Sequence, residues 1–262
     1  MRISWSFLGT PMLLVACLAS SPPTESNSTR TKHVLFVGNS LTYTNDLPGV
    51  FRDLANAGGY DVDVTTLAMA NVALIDFVSD ASAMTTIGNG SWNFVVLQQG
   101  TTSVPVCRDT LVLAARIMDP YIRRGGGVPA LMMSWPTSAR QHVFPNVHDS
   151  YALAAQTVNG LFLPVGDAWL EAWKVNPALG LYGSDGYHPS QAGTYLAALV
   201  IYEKFTGNDA RLLPVDVRVG ADRILLPAAQ VRQLQEAAHA TNLIPVPPVL
   251  VPPTPPGTPI TC

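Results

Sequence analysis

Three residues in this 262-residue chain, Ser40, Asp185 and His188, have types and spacing that could together do chemistry. Ser40 stands in Val34-Leu35-Phe36-Val37-Gly38-Asn39-Ser40-Leu41-Thr42, where an apolar run ends abruptly in a glycine and then a serine. A serine hydroxyl is a poor nucleophile at neutral pH. It needs a base within hydrogen-bond reach, and the base needs a partner to hold its tautomer. Both are offered by one stretch, Ser184-Asp185-Gly186-Tyr187-His188-Pro189-Ser190. The Asp185 carboxylate can fold back onto Nδ1 of His188 while Nε2 faces the serine. Alone, each motif reads as an ordinary turn with a polar side chain; their joint order and placement point to a nucleophile, a base and an orienter.

The elements that must position these residues follow from the hydrophobic pattern. Val34 to Gly38 reads as a buried parallel strand, because a short continuous apolar run suits a sheet covered on both faces. Gly38 is expected to turn the backbone sharply, which puts Ser40 at the carboxyl edge of the sheet, where open α/β sheets hold ligands. A helix follows from Leu47-Pro48, capped by Asn45 or Asp46 and stopped by Gly58-Gly59. Further strands are expected over Tyr60 to Leu67, Asn93 to Gln98, Val128 to Ser134 and Leu161 to Val165. Helices are expected over Asn71 to Ala83, Arg108 to Arg124, Asn146 to Asn159, Gly166 to Val175 and Gln191 to Phe205, the last capped by Ser190. Strands alternating with helices at this spacing imply a parallel sheet with helices on both faces. Arg211 to Leu226 reads as an extended arm, and Pro227 to Thr241 as a helix with Val231, Leu234 and Ala238 as its apolar stripe.

Gly38-Asn39-Ser40-Leu41-Thr42, followed far downstream by Asp185-Gly186-Tyr187-His188-Pro189, resembles the first and last blocks of the GDSL/SGNH hydrolase family. The resemblance spans about Lys32 to Gly207. It implies a three-layer α/β/α sandwich with a five-stranded parallel sheet and no cofactor. It also implies a serine esterase in which Ser40 is the nucleophile, His188 the base and Asp185 its orienter. The middle blocks depart from the pattern. The family places a glycine after the second strand and an asparagine after the third, whose groups help to form the oxyanion hole. Here the second strand leads into Ala68-Met69-Ala70-Asn71 and the third into Gln98-Gln99-Gly100. The oxyanion and substrate-binding candidates are therefore Asn71, or the backbone at Ala70, together with Gln98 and Gln99, and Gln98 is favoured because it directly follows the apolar run.

Composition narrows the partners. A net charge of −3 and a pI near 5.9 give no electrostatic footprint for nucleic acid. No Gly-x-Gly-x-x-Gly follows the first strand, so a dinucleotide is not suggested, and no Cys-x-x-Cys or His-Glu-x-x-His spacing suggests a metal. The resemblance implies a small-molecule or glycan ester as the partner, and export together with the likeness of Gln98-Gln99-Gly100 to the Gln-Gly segment of some carbohydrate-esterase branches favours an O-acetyl ester on a carbohydrate. A lipase or thioesterase of the same family, or a catalytically silent surface-binding lipoprotein, are the rival readings. The oligomeric state is left open. Asp167 reads as a helix cap, His142 and His148 as surface or rim residues, and Trp135 either lines the cleft or packs.

Residues 1–19 have the charged start and short hydrophobic region of a signal peptide. Leu14-Val15-Ala16-Cys17 resembles a bacterial lipobox, which makes Cys17 the candidate lipidation site and a lipid anchor the expected route to the membrane. Cleavage near Ala19 without lipid is the alternative, leaving a secreted or periplasmic protein. Residues 20–31 read as a flexible tether, 32–207 as the hydrolase-like domain, 208–244 as a C-terminal arm and helix, and 245–262 as a proline-rich tail. If Cys17 carries lipid, Cys107 and Cys262 form an even pair in an oxidising compartment. Their disulfide would close roughly 155 residues and stabilise by about 5 kcal/mol in the chain-entropy model. Free thiols are the equal alternative.

Overall fold

The computed structural model describes Met1 and residues 31–250. In chain order the elements are β1 Lys32–Gly38, α1 Ser40–Tyr43, α2 Leu47–Ala57, β2 Val62–Ala68, α3 Leu74–Val78, α4 Ala81–Asn89, β3 Phe94–Leu97, α5 Pro105–Arg124, β4 Val128–Met132, α6 Phe144–Thr157, β5 Leu161–Leu163, α7 Val165–Val175, α8 Gln191–Thr206 and α9 Ala228–Leu243. All five strands are parallel and lie in the order β2-β1-β3-β4-β5. The expected three-layer α/β/α sandwich is present.

The sheet is built outward from β1. Val34, Leu35, Phe36 and Val37 are all buried, as a central parallel strand requires, and burial is worth about 1.5–3 kcal/mol for each large side chain. The edge strand β2 exposes Asp63, Thr65 and Thr66. After β1 the chain crosses through α2 to β2 on one side, whereas β3 pairs on the other side. The strand order therefore reverses between β1 and β3, and the crevice beyond their carboxyl ends is where such a sheet leaves room for a ligand.

The helix α8 is buried over Ala192 to Tyr202 without a polar face, because α2, α7 and α9 all pack against it. Helix α9 buries the expected stripe of Val231, Leu234 and Ala238. Among the described residues, no helix is long and apolar enough to cross a membrane.

Several sequence expectations are corrected. The single helix over Asn71 to Ala83 is two, α3 and α4. Asp80 interrupts it by capping α4, its carboxylate accepting from the N–H groups of Ser82 at 2.8 Å and Ala83 at 3.2 Å. Helices α5 and α6 each begin earlier than expected, with Pro105 and Pro145 in their first turns. The arm is not simply extended: it holds a short 3-10 helix, Ala210–Leu212, and an antiparallel bridge between Val219 and Ile224. Gly220 and Ala221 donate from the backbone to Asp53 and Asp46 at 2.9 and 2.8 Å, which pins this arm to α2 and its cap.

Candidate active site

Ser40 is the first residue of α1, delivered by the buried end of β1. Asn39 is the cap of this short helix, its side chain accepting from the Leu41 N–H at 3.1 Å. Gly38 serves differently from the expected sharp turn, since its φ is not in the left-handed region. A Cβ there would lie 2.3 Å from the Thr42 hydroxyl and 2.5 Å from Oε1 of Gln98. The glycine is needed for close approach, not for backbone freedom.

The opposite side of the site is a loop held at several points. Gly183 donates to the His188 carbonyl at 2.7 Å, and Ser190 caps α8 by accepting from Gly193 at 3.2 Å. Gly186 has φ of 67°, and Ser138 packs so closely that a Cβ on this glycine would lie 2.4 Å from its hydroxyl. Trp135 is fully buried, stacks on Trp169 with ring centroids 4.2 Å apart, and donates its indole N–H to the Tyr187 carbonyl at 2.9 Å. Trp135 therefore packs; its polar edge carries the loop.

These two segments bring Ser40, His188 and Asp185 together. Nε2 of His188 lies 2.9 Å from the Ser40 hydroxyl, and Nδ1 lies 2.5 Å from Oδ2 of Asp185. The second Asp185 oxygen accepts from the backbone N–H groups of Tyr187 and His188, each at 2.9 Å. The His188 hydrogen bond is the main cause, with the Tyr187 N–H next, that lowers the Asp185 pKa from its ordinary 3.8 to about 2. Asp185 is thus a carboxylate at any ordinary pH and can hold the imidazole in one orientation.

A cleft of about 400 Å³ lies beside this chain of hydrogen bonds, with Asn39 and Tyr187, the residues preceding Ser40 and His188, in its wall. Asn71, with φ of 59°, and Gln99 also line it. The backbone N–H groups of Ser40, Asn71 and Gly100 have no protein acceptor among the described residues.

Gln98, the favoured oxyanion donor, does not face the cleft. It is fully buried; its Oε1 accepts from the Asn39 N–H at 3.0 Å and the Thr42 hydroxyl at 2.7 Å, and its amide donates to the Gln99 carbonyl. Gln99 reaches the cleft wall, but its side chain is also occupied. It accepts from the Leu74 N–H at 3.2 Å and donates to the Thr102 hydroxyl at 2.8 Å. Both glutamines follow the last apolar residue of β3 and are the right type for a donor, but burial turned their amides to neighbouring backbone and hydroxyl groups.

Asp167 is not a helix cap: it bonds Nδ1 of His148 at 2.7 Å, which raises the His148 pKa. His142 is exposed in the 3-10 helix Ser138–Val143. Cys107 is disulfide-bonded, which removes the free-thiol reading at this position; Cys262 and the candidate lipidation site Cys17 lie outside the described residues. Glu203, Asp209 and His239 cluster closely enough to hold an ion. Arg211 already occupies Asp209 with N–H bonds of 2.7 and 3.0 Å, and His239 bonds Glu203 at 2.6 Å, so these donors are taken.

Sequence reasoning missed Asn45. Its amide donates to the Pro189 carbonyl and the Thr194 hydroxyl, both at 2.9 Å, and ties the serine segment to the far end of the histidine loop. It and Asp46 are consecutive residues with positive φ, 53° and 55°, a placement that Asn and Asp tolerate. The pair Asn45-Asp46 ahead of Leu47-Pro48 was the available signal, but it reads equally as a helix cap. Asn39 donates from its amide to the Val72 carbonyl at 3.1 Å, a role for which the sequence offers only the signal of a turn residue.

No protein-family model matches the chain, and no curated protein matches it in sequence. Solved structures do resemble it. A DUF4886 family protein from Bacteroides uniformis shares 18% identity over 82% of this chain and 95% of its own, with a TM-score of 0.68. A candidate SGNH hydrolase from Slackia heliotrinireducens shares 24% identity over 67% of this chain and all of its own, with a TM-score of 0.57. A catalytic mutant of an acetylxylan esterase from Geobacillus stearothermophilus shares 14% identity over 67% of this chain and 94% of its own, with a TM-score of 0.51. Five parallel strands in this order, with Ser40 and His188 meeting beyond their carboxyl ends, give the chain the α/β/α fold of the SGNH/GDSL hydrolases.

Proposed function

We propose that the protein is an exported serine ester hydrolase that removes short acyl groups, chiefly acetyl, from a carbohydrate. The hydrogen-bond chain from Ser40 through His188 to Asp185 carries this reading. In the first step His188 Nε2 takes the Ser40 proton as the Ser40 oxygen attacks the ester carbonyl. The negative charge that forms on the carbonyl oxygen needs preorganised N–H donors. The Ser40 N–H is one, and the free backbone N–H of Asn71 or Gly100 at the cleft wall is the second. Expulsion of the sugar hydroxyl, protonated by His188, leaves an acyl-serine. Water then attacks it with His188 again acting as base, and the acid and free serine are released.

The short-acyl, carbohydrate part of the reading rests on the cleft's lining. Asn39, Asn71, Thr101, Thr102, Thr137 and Arg140 are polar, and among the described residues the aliphatic side chains are Val72 and Ala73, with the Tyr187 ring beside them. A long acyl chain gains little there, whereas sugar hydroxyls find donors and acceptors. Export and a lipid anchor at Cys17 rest on the leader and lipobox pattern of residues 1–19.

Purified protein should hydrolyse p-nitrophenyl acetate faster than its octanoate, and Ser40→Ala should remove that activity while keeping the far-ultraviolet dichroism of the wild type. A Ser40→Ala protein with full activity sinks the mechanism, and a preference for the octanoate sinks the short-acyl assignment. Intact-mass analysis of the native protein tests the anchor: a lipid on Cys17 supports it, and an unlipidated chain beginning near Ser20 excludes it.

A further inference from the structure

We propose that Arg140 forms an anion-recognition site in the cleft, so that the preferred substrate is an acylated sugar carrying a carboxylate, such as a uronic acid. This deepens the esterase reading and rests on it.

Among the described residues, Arg140 is the only lysine or arginine lining the cleft. Its guanidinium contacts the Ser103 hydroxyl at 3.4 Å, and no carboxylate of the described residues lies within ion-pair distance of it. Among the described residues Arg52, Arg108, Arg123 and Arg211 each hold a neighbouring carboxylate, whereas Arg116, Arg124, Arg218, Arg223 and Arg232 do not, and Arg140 differs from these five in lining the cleft. The one carboxylate among the described residues that line the cleft, Asp76, accepts the Ala73 N–H at 2.8 Å within its own helix start. The cleft therefore presents a guanidinium whose fork of donors is unmatched, and such a fork pairs best with two oxygens of a carboxylate or phosphate.

The backbone beneath Arg140 is set relative to the reacting groups. Its φ of −124° breaks the 3-10 helix Ser138–Val143, and its N–H donates to the Thr137 carbonyl at 2.8 Å. Ser138 donates to the Gly186 carbonyl at 2.8 Å, inside the Asp185 to His188 loop, and Tyr182 donates its hydroxyl to the Pro136 carbonyl at 2.7 Å. The segment bearing the cation and the segment bearing the base are thus bonded to each other. An anion held at Arg140 places the rest of the substrate at a constant offset from His188, which is the condition for orienting an ester for attack.

The test compares acetate release from methyl O-acetyl-glucuronoside and methyl O-acetyl-glucoside by the full chain. The wild type should favour the acid by about tenfold in kcat/KM, mainly through KM, a value set by a charge-assisted bond discounted for solvent exposure. Arg140→Gln should bring the ratio close to one, and Arg140→Lys should keep part of it. O-acetyl-glucose 6-phosphate separates the two anion sources: a stronger preference for it overturns the carboxylate assignment. Equal rates on acid and neutral sugar in the wild type, or an unchanged ratio in Arg140→Gln, overturn the anion site and leave the esterase standing. If no acetyl sugar is cleaved, calorimetry of methyl glucuronoside against methyl glucoside decides separately. Arg140-dependent binding of the acid alone keeps the site while the carbohydrate-ester reading falls, and no such binding removes both.

Discussion

Gln98 accepts the backbone N–H of Asn39 at 3.0 Å, so the end of β3 holds the turn that carries Ser40. The same oxygen takes the Thr42 hydroxyl at 2.7 Å, one turn further on, and the missing side chain of Gly38 makes room for it. One buried carbonyl oxygen therefore spans the strand end, the residue before the nucleophile and the first turn of α1.

Truncating this side chain should act on stability first. Gln98→Ala orphans the buried Asn39 N–H and Thr42 hydroxyl and should cost about 1–3 kcal/mol. For a chain of this size that lowers Tm by several degrees, at about 2–4 °C per kcal/mol. Thermal scans and ester turnover on the same preparation check this; a kcat loss with an unchanged Tm would restore the oxyanion role.

Asn45 should behave as a positioning residue. Asn45→Gly keeps the left-handed backbone and removes both amide bonds to the histidine loop. The expected result is a kcat lower by about three- to tenfold with KM little changed, from loss of about 1 kcal/mol of orientation. Equal kcat in the glycine variant would reduce Asn45 to a turn former.

Trp135→Phe deletes the indole donor to Tyr187 but keeps an aromatic ring against Trp169. Loss of that bond should loosen the loop by about 0.5–1.5 kcal/mol, seen as faster amide hydrogen exchange at Tyr187 and His188. Unchanged exchange at those two amides would mean that the remaining loop bonds suffice.

Asp185 has a definite acid signature. Its folded pKa of about 2 lies below the ordinary 3.8, so its stabilising contribution is present above 3.8 and is lost as pH falls through about 2. The Tm difference between wild type and Asp185→Asn should therefore be present at pH 7 and shrink between pH 3.8 and about 2. Any loss of activity between pH 5 and 8 must come from another group. At pH 7 the Asn variant should also lose on the order of 10³- to 10⁴-fold in kcat, because the amide favours the wrong imidazole tautomer. A Tm difference that stays constant from pH 7 to 2 would contradict the assigned ionisation.

The strands, the order of the helices and the candidate residue types at Ser40, Asp185 and His188 were legible because they depend on local signals, whereas the approach of Ser40 to His188 across the sheet edge is a tertiary outcome. Val34 to Val37 is apolar without interruption, Pro48 and Gly58 bracket α2, and Asp185 lies close enough to His188 to meet it within one loop. The break between α3 and α4 was not legible, because Asp80 as a cap looks the same in sequence as Asp80 on an exposed helix face. The roles of Gln98 and Gln99 were not legible for a related reason. An amide can donate to a ligand or to the backbone with equal chemistry, and which it does depends on what burial places beside it.

The sequence by itself determined the parallel α/β layering and the chemical types available at the end of β1 and before α8, since periodicity and turn residues act over a few neighbours. Tertiary structure alone decided that Gln98 faces inward, that Trp135 carries the histidine loop, that Asn45 bridges to Pro189 and that Arg140 faces the cleft. Those outcomes join residues dozens of positions apart, and no local pattern encodes which buried donor will find which acceptor once the sheet and helices have closed around them.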